Sequence, residues 1–194
     1  MKRFFLSLAA LCAAMSAFAQ EAVDVTKTVP VSVYFPESIT SIPAESQDML
    51  AGKFRAAAAQ AGMASTEDFT QFFLTCEAAV VDKVIVPGAP TKYSQTIEVT
   101  VYMMDAMSQR VFNSTAITVK GTANSENKAF ITGIRNLQPS NANLKKFLLG
   151  CNASIIKYYD AQYENIIAEA NILAANQQFE EALFKLSTIH MDCQ

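Results

Sequence analysis

The sequence predicts an α+β protein: an antiparallel sheet of three to four strands with helices packed on one face, followed by a long C-terminal helix and a helical hairpin. Three observations carry this. The middle third alternates apolar and polar residues with period two, the flanking segments repeat apolar residues every three or four positions, and short turn-rich links join the alternating runs.

The N-terminal nineteen residues read as an export signal. Lys2 and Arg3 supply a positive start, Phe4 to Ala14 an apolar run, and Ala17-Phe18-Ala19 the small-x-small pattern of a cleavage site. The apolar run is shorter than the ~20 residues that cross a bilayer, so cleavage before Gln20 is expected rather than anchoring. Cys12 follows Leu11 and is itself followed by more apolar sequence, which does not fit a lipid-modification signal. The expected organisation is a signal peptide at 1–19, a sheet-and-helix domain at 20–140, and a long helix with hairpin at 141–194. The protein is therefore expected to be exported, and periplasmic, associated with the outer membrane, or extracellular.

Losing Lys2 and Arg3 lowers the basic count from 15 to 13 against 18 acids, so the net charge moves from −3 to −5. Nucleic-acid partners require a basic face, and none is expected here. No second segment is apolar and long enough for a transmembrane span.

Along the chain, Val31, Val33 and Phe35 of "VPVSVYFP" form one face of a short strand bounded by prolines, the composition of an edge strand. Ala44 to Ala61 is rich in helix formers, with Ser46 as the expected N-cap, an apolar stripe of Met49, Leu50, Phe54 and Ala57 or Ala58, and Gly62 at the end. Phe72, Leu74, Cys76, Ala78 and Val80 share one face of a long strand. After "PGAPTK", a strand places Tyr93, Gln95, Ile97, Val99, Val101 and Met103 on one side. "DAMSQ" then turns the chain into a third strand, where Val111, Thr115, Ile117 and Val119 alternate with Phe112, Ser114, Ala116 and Thr118. A helix with Phe130, Ile131, Ile134 and Leu137 inward follows Ser125. From Asn143, a helix of about thirty residues is marked by Leu144, Phe147, Leu148, Cys151, Ile155, Ile166, Ala170 and Leu173. At ~1.5 Å per residue it outreaches a small domain, so its second half should project beyond the sheet.

The closing segment places Ile166, Ala170, Leu173, Phe179, Ala182, Leu186 and Ile189 at the spacing of a tetratricopeptide hairpin, with Ala170 and Ala182 permitting close helix approach and Phe179 closing the turn. It is a single copy, and solenoid repeats need about three units to bury their faces, so a self-standing superhelix is excluded. "TIEVTVYMMDAMSQRVFNSTAITVKGTANSENKAF" carries a second likeness. A strand reaches an acidic turn, a Ser- and Thr-rich strand returns, and a helix begins with small residues. This resembles the module of the curli-secretion lipoprotein family and of LPP20-type outer-membrane lipoproteins over about Ala44 to Leu137. The resemblance implies a helix packed on an antiparallel sheet and brings no catalytic residue with it; the lipidated cysteine of those families is missing.

Little in the residues supports catalysis. His190 is the single histidine, which leaves no His-based metal site and no Ser-His-Asp arrangement. The acids available to a carboxylate-dependent hydrolase are Glu77, Asp82, Asp105, Glu180 and Glu181, with Glu77 and Asp82 expected on opposite faces of their strand. The glycines are scattered and form no phosphate loop. No catalytic residue, cofactor or metal is expected. Asn113-Ser114-Thr115 and Asn152-Ala153-Ser154 match a glycosylation pattern that carries no meaning in a bacterial chain.

The expected function is a non-enzymatic envelope protein that presents its hairpin to a protein partner or to a second copy, with Tyr159, Tyr163 and Phe184 on the contact face. Three cysteines remain after cleavage. Cys76 reads as a buried thiol, an internal Cys151–Cys193 pair falls ~12 Å short unless the tail extends, and Cys193 is a candidate for an intermolecular disulfide. The alternative is a carrier of an apolar ligand between sheet and helix, lined by Phe72, Phe73, Met103 and Met104.

Overall fold

The computed structural model describes residues 27–37, 39–67 and 70–189. The expected signal peptide, His190 and Cys193 lie outside the described residues.

Four strands and four helices occur in the order β1 (Val31–Val33), α1 (Ala44–Gln60), β2 (Phe72–Val86), β3 (Lys92–Asp105), β4 (Arg110–Ala123), α2 (Glu126–Asn136), α3 (Ala142–Ala175) and α4 (Phe179–Ser187). The sheet order is β1-β2-β3-β4. The three long strands pair antiparallel as a meander, and β1 joins the edge of β2 in parallel, Val31 opposite Phe72. The parallel pairing follows from the connection: α1 intervenes between β1 and β2, so the chain crosses over and re-enters in the same direction. The Val31 N–H donates to Met63 O at 2.8 Å, so the segment before β2 folds back on the edge that β1 would otherwise leave bare.

One face of the sheet is buried. Val31, Val33, Phe72, Leu74, Cys76, Ala78, Ile97, Val99, Val101, Met103, Ile117 and Val119 form a single core with the inner residues of α1, α2 and the first half of α3. The period-two reading therefore holds along most of each strand, and fails at two bulges. Opposite Ile97, Val81 is an extra residue, and opposite Met103 and Met104, Phe112 is another. Each bulge reverses the facing of the residues after it. Glu77 pairs with Thr100 and Asp82 with Thr96, so these acids share a face rather than lying on opposite ones. Phe112 likewise joins the core side, while Val111 is exposed.

The helix starts have local causes. Helix α1 begins before Ser46, with Pro43 O accepting from the N–H groups of Ser46 and Gln47. Ser46 is thus inside the first turn, and its hydroxyl is buried without a hydrogen-bond partner. Ser125 caps α2, its Oγ accepting from Lys128 N, and Asn141 caps α3, its Oδ1 accepting from Asn143 N and Leu144 N. Lys53 of α1 donates to the carbonyls of Arg135 and Leu137 at 2.9 and 2.6 Å, placing a cation at the negative end of α2. Burial and the nearby Arg135 charge push the Lys53 pKa down.

Helix α2 lies directly on the sheet because two glycines meet. A Cβ at Gly121 would fall 2.0 Å from Ala129 O, and one at Gly133 would fall 2.4 Å from Ile97 Cδ1. Asn152, buried on α3, clasps the start of the described chain: its Oδ1 accepts from Val29 N and its Nδ2 donates to Lys27 O, both at 2.9 Å. Both polar ends of Asn152 are thereby used inside the fold.

Candidate functional site

Helix α3 is 34 residues long, ~51 Å at 1.5 Å per residue. Its buried positions run densely from Leu144 to Tyr159 and then thin to Ile166 and Ala170. Beyond Tyr159 the helix is covered by α4 instead of the sheet. Ala182 of α4 and Ala170 of α3 are both buried between the two helices, as small residues at a close approach require, and Lys185 bridges Glu169 at 2.5 Å. The chain reverses through Asn176, Gln177 and Gln178, with Gln177 in the left-handed region at φ +64° and Gln178 N donating to Leu173 O.

The hairpin is fastened to the sheet by a polar cluster at one end of the strands. Asp105, the last residue of β3, is fully buried. Its Oδ2 accepts from Tyr159 Oη at 2.6 Å and Ser108 Oγ at 2.7 Å, and its Oδ1 accepts from Met107 N at 2.9 Å. Gln71 Nε2, just before β2, donates to Tyr159 Oη at 2.8 Å and to Thr188 O, just after α4, at 3.2 Å. One carboxylate, through Tyr159, thus ties together the β3–β4 turn, the long helix, the start of β2 and the end of the hairpin. Burial, followed by the Asp105 hydrogen bond, pushes the Tyr159 pKa well above the ordinary tyrosine range, so its hydroxyl stays a donor.

Aromatic rings pack around this cluster. Tyr159 stacks edge-on against Phe72 and Tyr158, Phe112 does so against Phe72 and Tyr158, and the Arg110 guanidinium lies 4.5 Å over the Tyr158 ring. The bulge that turns Phe112 inward completes the set.

The expected contact residues differ in exposure, although Tyr159 and Phe184 both line a groove between α3, α4 and the β3–β4 turn. Tyr159 is 2% exposed and belongs to the core, so it is not on the outer face; the "YY" pair meets the end of the sheet, and the hydrogen bond to Asp105 holds the Tyr159 hydroxyl inside. Tyr163, one turn further, is 37% exposed, and Phe184 is 57% exposed. Cys193 lies outside the described residues. Residues not expected on a contact face are exposed on the hairpin as well: Leu183 and Phe179 are 68% and 60% exposed, joined by Ile172 and Ile167. Phe179 points outward instead of closing the turn, because Ala182 takes the inner position of α4. The signal available in the sequence was the excess of apolar residues in "FEEALFKL" over the number that one inner face of a nine-residue helix accommodates.

The four residues expected to line a ligand cavity also divide. Phe72 and Met103 are packed in the core, whereas Phe73 and Met104 face the helix-free side. There, with Tyr34, Ser32, Thr70, Ala106 and Gln109, they line an open groove of about 560 Å³. Tyr34 and Phe73 meet edge-to-face at 5.9 Å on its wall. Asp82, Glu180 and Glu181 are exposed and Asp105 is held by its donors, while Glu77 lines an open cleft of about 570 Å³ together with Glu98, an acid that the sequence did not single out. Among the described residues, no group of three or more His, Cys, Asp or Glu is placed to hold a metal ion. Among them, too, no helix is long and apolar enough to cross a membrane.

No protein-family model matches the sequence. No curated protein matches it either. Among solved structures, the chain is similar to a minor lipoprotein from Acinetobacter baumannii, with a TM-score of 0.35 and 15% identity over 68% of this chain and 93% of that one. It is also similar to a dodecamer of a PelC variant from Paraburkholderia phytofirmans, with a TM-score of 0.31 and 16% identity over 65% and 86% of the respective chains. Scores this low bear on neither family nor role. The likeness to the curli-secretion lipoprotein module rests on architecture, a helix packed on an antiparallel sheet, and that architecture is present from Ala44 to Leu137.

Proposed function

We propose that the protein is an exported, non-enzymatic envelope protein that associates with protein, through the outer face of the α3–α4 hairpin. The observation that carries this reading is the exposure of Phe179, Leu183 and Phe184 together on a helix of nine residues. Scattered apolar residues on a surface are ordinary, but three large apolar side chains, each more than half exposed, on one nine-residue helix mark a contact surface. Each such side chain gives roughly 1.5–3 kcal/mol when fully buried. Three give no more than about 9 kcal/mol, within the ~4–15 kcal/mol that association costs, so Tyr163, Ile172 and further residues must share the contact. The non-enzymatic part rests on the sequence, with its single histidine and scattered glycines. The N-terminal nineteen residues support export.

The test is the mass of the mature chain in solution by light scattering, with and without reductant, beside Leu183→Glu and Cys193→Ser variants. A defined assembly that falls to monomer in Leu183→Glu supports the reading, and one lost on reduction assigns Cys193 as a covalent link. An assembly unchanged by Leu183→Glu overturns it.

A second reading, a carrier of a small apolar ligand, is favoured by one observation, the groove of Tyr34, Phe73 and Met104 on the helix-free face. An apolar fluorescent probe that binds the wild type and not Phe73→Ser would support it. Equal binding by both would dismiss it.

A further inference from the structure

The second half of β2, with the turn that leads into β3, forms an exposed arm along the edge of the sheet; beside it the start of β3 is paired in turn with β4, Tyr93 opposite Ala123 and Gln95 opposite Gly121. From Val80 to Val86, every residue of β2 is exposed, and β1 pairs only with Phe72 to Leu74, so that among the described residues no strand flanks the outer edge of the arm. The bulge at Val81 divides its apolar residues between the two faces. Asp82, Val84 and Val86 pair with Thr96, Ser94 and Lys92 on the helix-free side, while Lys83 bridges Glu126 of α2 on the other, and Ile85 follows Lys83 there. Ile85 is 56% exposed and Val84 nearly as much. An apolar strand with a bare outer edge is a liability in isolation.

The arm and the hairpin stand at opposite ends of the sheet. The hairpin is fixed to Gln71 and Asp105, and the arm begins at Val80 and ends past Val86. Fifteen residues of β2 at ~3.3 Å separate the ends by ~50 Å, so an arm cannot reach the hairpin of its own chain.

The charges of the two ends differ. From Asp160 to Thr188 the hairpin carries five carboxylates, Asp160, Glu164, Glu169, Glu180 and Glu181, against Lys185 alone, a net of −4. From Val80 to Tyr93 the arm carries Lys83 and Lys92 against Asp82, and Lys83 is paired with Glu126, so the cation left to meet a partner is Lys92, exposed near the tip. Two hairpins packed face to face would set −4 against −4 within a Debye length of ~8 Å, which opposes that pairing. An arm on a hairpin brings apolar surface to apolar surface and Lys92 to the carboxylates.

We propose that the occupant of the hairpin face is the β2–β3 arm of a second copy of this chain, joined head to tail. The inference rests on the reading of the hairpin as an association surface. Because donor and acceptor surfaces differ, each copy uses both, and the assembly propagates until it closes on itself or extends as a fibre.

The experiment uses mature full-length chains in sedimentation velocity: wild type, an arm variant Ile85→Glu and a hairpin variant Leu183→Glu, each singly and mixed. Both substituted side chains are exposed, and unchanged unfolding midpoints establish that both variants fold. The expected result is an assembly for the wild type, monomers for each variant alone, and a 1:1 heterodimer with nothing larger for the mixture, since only one intact arm and one intact hairpin remain. A charge test does not depend on those variants: Lys92→Glu alone weakens assembly, and combining it with Glu180→Lys and Glu181→Lys in one chain restores it. An assembled arm variant beside a monomeric hairpin variant overturns the arm and leaves the hairpin reading standing. Assembly by both variants overturns both. A wild type that is monomeric at every concentration, or variants whose mixture stays monomeric, overturns the head-to-tail contact.

Discussion

The Tyr159 hydroxyl donates a 2.6 Å hydrogen bond to the buried carboxylate of Asp105, and this bond joins the long helix to the end of the sheet. Hydrogen bonds to charged groups contribute about 1.5–3 kcal/mol, and a buried carboxylate left short of donors is costly. Tyr159→Phe is expected to lower stability by about 2 kcal/mol, while keeping the ring packing against Phe72. Urea unfolding would read it. Asp105→Asn, which removes the charge that needs the donors, should cost less than Tyr159→Phe in the same measurement.

Alkaline pH should weaken the fold in a defined order. Burial pushes the thiols of Cys76 and Cys151 up to about 12 from an ordinary 9.0, and Tyr159 is raised from 10.0. In each case the folded state holds the proton more tightly than the unfolded chain, so the stabilisation is complete below the unfolded value and is lost as pH rises through the folded one. The urea midpoint should therefore be flat at neutral pH, decline above about pH 9 as unfolded thiols ionise, and steepen above about pH 10 with tyrosine. Tyr159→Phe should lessen the steeper part, to which Tyr102 and Tyr163, raised as well, also contribute, and an unchanged profile in that variant would contradict the assignment.

The same burial makes Cys76 and Cys151 inert. In a Cys193→Ser chain, a thiol reagent should label neither residue in the native protein and both after denaturation. Rapid native labelling of Cys151 would mean that α3 lies off the sheet.

Gly121→Ala tests how closely α2 sits on β4. The added Cβ meets backbone atoms of Ala129 and Gly133, which no side-chain rotation relieves. Overpacking of this kind costs about 1–3 kcal/mol or more. By contrast Gly52→Ala, with open space around its Cβ on α1, should stabilise by about 0.5–1 kcal/mol.

Periodicity in the sequence revealed the strands and helices, because one-sided burial writes itself into alternation and into three-four spacing. Bulges do not write themselves there. Val81 and Phe112 fit the alternation of their neighbours, and only the partner strand shows that one residue is extra, so the shared face of Glu77 and Asp82 was unreadable. The direction of β1 was hidden for a related reason: three residues have no polarity pattern that separates parallel from antiparallel pairing. Asp105 reads as a turn acid in "DAMSQ", and its burial is decided by Tyr159, 54 residues away. The long helix was legible through its periodicity, and the close approach at Ala170 and Ala182 through their spacing. Tyr159 was misplaced because the point where the helix leaves the sheet depends on where β3 ends.

The most direct test of the hairpin as an association surface is hydrogen exchange of the Phe179–Ser187 amides across a range of protein concentrations. An isolated nine-residue helix is marginal, so a bare α4 should exchange quickly. The account predicts that protection of these amides rises with concentration while that of α2 stays constant. Fast exchange at every concentration, beside a constant monomer mass, would contradict it.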